Sequence, residues 1–168
     1  WPVERARDVL RLYRDLARDA TDDLMLVAAL ITGPDAATKL VAIAAGHFGK
    51  GAAGDKAISA IKSFGQPAMD AMGPIPYTQL NAMLDASYPK GARNYWKSHN
   101  LATLKDALID TIIAYTLKLP SPQTEIFLGA IGGATTRPAP DAMAYAHRDA
   151  KFVMNVHGRW EDPADDKR

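Results

Sequence analysis

Residues 24–45, LMLVAALITGPDAATKLVAIAA, decide the architecture. Leu24 to Ile31 and Leu40 to Ala45 are short aliphatic runs, and Gly33-Pro34-Asp35 between them supplies the residue types of a tight turn. The pair reads as a hairpin of buried strands.

Upstream of the hairpin, Val3, Ala6, Val9, Leu10, Tyr13, Leu16 and Ala17 recur at helical spacing behind Pro2, which a first helical turn tolerates. Arg5, Arg7, Arg11 and Arg14 occupy the wetter side of that helix. Downstream, Asp55, Lys56, Ile58, Ile61 and Phe64 form a short helix ending near Gly65. A connection rich in Met and Pro, from Pro67 to Pro76, leads into a helix over Tyr77 to Leu84. Asn94 to Ser98 then reads as a strand, and Leu101, Leu104, Leu108, Ile109, Ile112 and Ile113 make the strongest helical stripe of the chain. Thr124 to Ile131 and Lys151 to Trp160 close the chain as strands. Hairpins joined to helices, without a regular alternation of strand and helix, predict an α+β fold: an antiparallel sheet flanked by helices.

The 168 residues suit one domain with a sizeable core. With 20 Lys and Arg against 19 Asp and Glu, the balance announces no broad polyanion-binding face, so nucleic acid is not an expected partner. There is no cysteine, which removes disulfides, thiolate ligands and a cysteine nucleophile from this segment. No apolar run reaches the length of a membrane span, and the expectation is a soluble, cytoplasmic protein with secretion left open. Residues 161–168, EDPADDKR, read as a charged tail, cut or frayed, after a domain covering 1–160.

Gly49-Lys50-Gly51-Ala52-Ala53-Gly54 matches the glycine pattern of a dinucleotide turn, but the strand before it belongs to a hairpin and a flexible turn is the simpler reading. His147-Arg148-Asp149 matches a kinase catalytic triplet without the asparagine that should follow. None of the four histidines, at 47, 99, 147 and 157, makes a close metal-binding pair, so no metal is expected. In Asn94-Tyr95-Trp96-Lys97-Ser98, Tyr95 and Lys97 share one face of a strand, and Trp96 and Ser98 share the other.

These stretches, together with Trp1-Pro2, Arg11-Leu12-Tyr13-Arg14, Gly73-Pro74-Ile75-Pro76-Tyr77, Gly132-Gly133-Ala134, Ala146-His147-Arg148-Asp149 and Trp160-Glu161-Asp162-Pro163, resemble the substrate-binding domain of the bacterial FAD-linked oxidases related to berberine bridge enzyme. The resemblance spans essentially the whole chain. It implies a two-domain flavoenzyme in which FAD is held mainly by an N-terminal domain outside this sequence, and a C-terminal segment follows it. It implies oxidation of a small organic alcohol, sugar or amine by hydride transfer to flavin, with O2 as acceptor. No cofactor-binding residue is assigned within the segment. On the same resemblance Tyr95, Lys97, Phe127, Gly129 and Ile131 form the cavity-facing, substrate-binding set, with Tyr95 as catalytic hydroxyl or base and Lys97 able to lower its pKa. His147 and Arg148 are expected near the ligand or the interdomain surface. Ala130 stands where relatives commonly carry a polar or acidic side chain. The segment alone is expected to be inactive, with an exposed face that favours self-association. The competing readings are a noncatalytic α+β ligand-binding or assembly module, and a nucleotide-binding protein using Gly49 to Gly54.

Overall fold

The fold comes from a computed structural model that describes residues 1–49 and 52–167, with the side chains of Ala52 and Ala53 left aside. Five strands, β1 (Leu24–Thr32), β2 (Lys39–His47), β3 (Arg93–Leu101), β4 (Glu125–Ala130) and β5 (Phe152–Trp160), form one sheet in the order β2-β1-β4-β5-β3. All four pairings are antiparallel. The predicted hairpin is β1 with β2, paired from Leu24 opposite His47 to Thr32 opposite Lys39. The helices are α1 (Ala6–Arg18), α2 (Ala52–Lys62), α3 (Tyr77–Asn81) and α4 (Asp106–Thr116). The α+β expectation therefore holds, with an antiparallel sheet and helices beside it.

Residues directly opposite one another in a sheet project from the same face, so the register sorts every strand residue. Leu26, Ala28, Leu30, Val41, Ile43, Ile126, Leu128 and Phe152 fall on one face, and all are buried in the core. Against them pack α1, through Val9, Leu10 and Tyr13, and α4, through Ile109 and Ile112. Tyr13 is fully buried, and its hydroxyl donates to the Leu128 carbonyl at 2.7 Å, tying α1 to the central strand. Burial pushes that phenol well above its ordinary pKa, so it remains a donor across the whole physiological range. Arg11 and Arg14 reach from α1 to Asp106 at the start of α4, at 2.5 and 2.8 Å, and their hydrogen bonds hold this carboxyl far below the usual carboxylate range. The arginines expected on the wet side of α1 thus orient the second helix.

The hairpin turn carries a local cost. Ala36 has φ 59°, the one positive φ among the described non-glycine residues. Asp35 compensates by accepting from the amides of Ala37 and Thr38 at 3.0 and 2.9 Å and from the Thr38 hydroxyl, bonds that hold its pKa at about 2. Ala36→Gly removes the steric penalty at φ > 0 and is expected to stabilise the protein by about 0.5–1 kcal/mol. Thermal unfolding should show a rise of about 2 °C in Tm.

Three boundaries differ from the sequence reading. The helix expected from Leu101 starts at Asp106, because Leu101 ends β3 and Leu104 fills the core from the intervening loop. The helix expected over Tyr77 to Leu84 stops at Asn81 and gives way to a 3-10 turn at Asp85–Ser87. Within residues 161–167 the charged tail is tied back to the sheet. Asp162 caps a 3-10 turn at Pro163–Asp165, and the Asp166 carboxylate receives two hydrogen bonds from Arg93, at 2.5 Å each, and one from the Trp160 indole at 2.8 Å. Residue 168 lies outside the described residues.

The glycine motif at 49–54 takes its place in packing, although Lys50 and Gly51 lie outside the described residues. A Cβ on Gly54 would fall 2.1 Å from the His47 ring, so glycine here lets α2 approach the end of β2. Because β2 pairs antiparallel with β1, no parallel crossover leads into α2, which removes the topology a dinucleotide turn requires.

Candidate functional site

The face of the sheet opposite the helices gathers polar and aromatic side chains. Reading across β4, β5 and β3, register places Glu125 opposite His157 and His157 opposite Trp96. One pair further along, Phe127 lies opposite Asn155 and Asn155 opposite Ser98; Gly129 then faces Val153. Side chains from three strands therefore stand together, though in sequence they are far apart.

The rings form a stack. Trp96 and His157 lie nearly parallel, at 18° with centroids 4.1 Å apart, and Phe127 flanks His157 at 5.1 Å. Tyr88, from the segment before β3, closes over this row with its ring 6.0 Å from Trp96. Its hydroxyl donates to Glu125 Oε1, and His157 Nδ1 lies 3.4 Å from both that carboxylate oxygen and the Tyr88 oxygen. Burial and the bond to Glu125 push the Tyr88 phenol up, with Arg159 acting in the opposite sense.

Arg159 is 4% exposed and lies under the Tyr88 ring, its guanidinium carbon 4.6 Å from the centroid. It donates to the Ser87 carbonyl at 2.7 Å, while its Nε is buried without a partner. A buried cation is costly unless its surroundings supply acceptors or π density. Here it pins the Ser87-Tyr88 segment to the sheet, so the phenol is positioned from below by a cation and laterally by a carboxylate.

A second rim is built by residues 132–150. Tyr145 donates to Asn100 Oδ1 at 3.1 Å, and Arg148 donates to the Thr135 carbonyl at 2.6 Å while its guanidinium covers the Tyr145 ring at 5.1 Å. His147 is exposed and meets Tyr145 edge-on at 5.8 Å. Gly133 takes φ 58°, and a Cβ there would meet an Asp22 carboxylate oxygen at 2.8 Å, so the Gly132-Gly133 turn is glycine for conformational and steric reasons.

The five residues expected to line one cavity do not share a face. Phe127 and Gly129 are on the open face, and Ile131 follows β4 with its amide bonded to the Lys151 carbonyl at 2.8 Å. Tyr95 and Lys97 are opposite Gly158 and Val156, on the helix side. The period of two keeps Tyr95 and Lys97 together, as expected, but directs them away from Phe127, and a single small ligand cannot reach both groups through the sheet.

Tyr95 and Lys97 instead border a groove of about 990 Å3, shared with Tyr115, Lys118, Val156 and Trp160. Tyr95 is 63% exposed, and the Lys97 ammonium lies 5.3 Å from its ring centroid. The groove exists because α1 and α4 cover β1 and β4, leaving the same face of β5 and β3 without a helix of its own.

Tyr88, Glu125, Trp96, His157 and Arg159 were absent from the expected site. The usable signal was the alternation Asn155, His157, Arg159 on one face of the last strand, polar where the other face is apolar. Among the described residues no three His, Asp or Glu side chains gather as a metal site, and no helix is long and apolar enough to cross a membrane.

No family model matches the chain. It is 26% identical over 156 residues to an FAD-linked oxidoreductase of Dictyostelium discoideum, which covers 92% of this chain and 34% of that protein. Among solved structures it is similar to berberine bridge enzyme-like protein 28 from Arabidopsis thaliana, with a TM-score of 0.72 and 14% identity over 98% of this chain and 36% of that one. It is also similar to 6-hydroxy-D-nicotine oxidase from Arthrobacter nicotinovorans, with a TM-score of 0.71 and 15% identity over 99% of this chain and 37% of the other. The chain thus spans about a third of the length of the relatives it matches, and nearly all of it has the fold found in that third.

Proposed function

We propose that the chain is the substrate-facing part of an FAD-linked oxidoreductase that oxidises a small organic alcohol, sugar or amine. The supporting observation is that almost the whole chain takes the fold of one third of a berberine bridge enzyme-like oxidase, with its polar and aromatic side chains gathered on the sheet face that no long helix covers. The described residues suit the ring end of such a cofactor. Gly129 leaves a shallow floor, since a Cβ there would stand 3.2 Å from a Val153 methyl, and Ala29 and Val27 continue that floor on β1. In this reading FAD is held mainly by sequence outside this segment, as the family resemblance implies. When bound, FAD would supply the hydride acceptor, with O2 as the expected final acceptor.

This chain's residues then bind, orient and enclose. Phe127 and Trp96 offer apolar surface to the carbon skeleton, Asn155 and Ser98 offer hydrogen bonds, and the His147-Arg148-Tyr145 rim stands at the far end of the face. The substrate partner is a small molecule, and the second partner is the flavin-holding domain that closes over the open face.

One observation favours the noncatalytic binding-module reading: Tyr95 and Lys97 face solvent from a groove separate from the open face. The absorption spectrum and intact mass of the longer source protein, measured beside this 168-residue segment, decide between the two. A yellow source protein with a flavin-sized mass increment, and a colourless, inactive segment, is the expected result. A source protein that is colourless and does not take up added FAD would defeat the oxidoreductase reading and favour the binding module.

A further inference from the structure

We propose that His157 is the proton acceptor of the oxidation, held in one tautomer by Glu125 and Tyr88, with Nε2 presented to the substrate's hydroxyl or amine. This inference rests on the oxidoreductase reading above.

The geometry fixes the tautomer. Tyr88 donates its only proton to Glu125, which leaves oxygen lone pairs on both Tyr88 and Glu125 facing His157 Nδ1 at 3.4 Å. With two acceptors on that side, Nδ1 carries the hydrogen and Nε2 keeps its lone pair. Among the described residues Nε2 has no hydrogen-bond partner and does not belong to the buried unpartnered atoms, and the His157 side chain keeps 14% of its surface exposed. Trp96 and Phe127 fix the ring plane. A histidine whose Nδ1 is oriented by a carboxylate and whose Nε2 is open is the arrangement that general-base catalysis requires.

The step balances. The substrate O–H or N–H bond breaks as its proton passes to Nε2, the electron pair left behind forms C=O or C=N, and the adjacent C–H hydrogen leaves as hydride to the flavin. The imidazolium is stabilised by Glu125 through Nδ1–H. Its proton returns to solvent or to the peroxide formed when O2 takes up the two electrons. The charged and titratable groups facing His157 are Glu125 from β4, Tyr88 from the covering segment and Arg159 from its own strand; β3 contributes Trp96, Ser98 and Asn94, which do not titrate.

The test uses the longer flavoprotein, with His157→Gln beside it. Diethyl pyrocarbonate acylates only the unprotonated imidazole, and peptide mass mapping reads each histidine separately across pH 5 to 8. His157 is expected to react, as an imidazole whose Nε2 is not closed off by a protein partner. The substrate is taken as the member of an aldose and benzylic-alcohol panel that bleaches the wild-type flavin fastest. With it, His157→Gln is expected to slow anaerobic flavin reduction about 10²–10⁴-fold and to remove the acidic limb of its pH profile. A yellow protein whose His157 does not react, or whose pH profile survives His157→Gln, overturns the proton acceptor and leaves the oxidoreductase reading standing. A colourless protein overturns the reading itself.

Discussion

Leu128→Ala is expected to remove about 3–5 kcal/mol of folding stability. Leu128 is fully buried on the central strand β4, flanked by Ala28 of β1 and Met154 of β5, and the α1 tyrosine is bonded to its carbonyl. Truncation leaves a cavity that three hydrogen-bonded strands cannot collapse around, so the lost transfer energy and the cavity term add. Against a total of about 5–15 kcal/mol for a domain, this is a large share. Urea unfolding followed by far-UV circular dichroism should show a lower midpoint at an unchanged slope. Leu117→Ala, at a residue 59% exposed, provides the contrast and should change stability by less than about 0.5 kcal/mol. Comparable losses at the two sites would mean that the core is not centred on β4.

Gly129→Leu in the longer protein is expected to lower kcat/KM by about 100-fold or more, equivalent to roughly 2.7 kcal/mol of transition-state stabilisation. The new side chain would rise between Val27 and Val153 on the open face, with its Cβ already 3.2 Å from a Val153 methyl. It would occupy the floor that the proposed function gives to the substrate and the flavin ring. Tyr95→Phe decides the location of the chemistry in the same assay. If the open face is the working face, activity stays within about twofold of the parent. If Tyr95 is the catalytic hydroxyl that the family resemblance suggests, the ranking reverses, and the groove between β3 and α4 becomes the site. Bound-flavin absorbance and circular dichroism in each variant separate lost chemistry from lost fold.

The hairpin and the helices of this fold were legible because burial leaves a periodic mark: a turn between two aliphatic runs, and a stripe such as Val9, Leu10, Tyr13. Where two periodicities coincide, boundaries slip. Leu101 and Leu104 continue the spacing of α4 although one closes a strand and the other fills the core from a loop. Alternation also told that Tyr95 and Lys97 share a side, but it cannot say which side meets the helices. That depends on strand order and on register, and β3 lies at the edge, where nothing in its own sequence fixes the outcome. The Tyr88-Glu125-His157 group was invisible for the same reason. Its members belong to a loop and two strands, and only the pairing of Glu125 with His157 brings them together.

The strand order has a kinetic side as well. Within the N-terminal half, β1 and β2 meet through a short turn, yet Val27 of β1 also pairs with Gly129 of β4, about a hundred residues further along the chain. Closing so long a loop costs entropy before any contact rewards it, and sheets built on such pairings fold slowly. During synthesis the β1–β2 hairpin with α1 must wait, its inner edge unpaired, until β4 leaves the ribosome. An aggregation-prone interval is therefore built into the topology, and the search for conditions of soluble expression should begin with the rate of translation between residues 47 and 125.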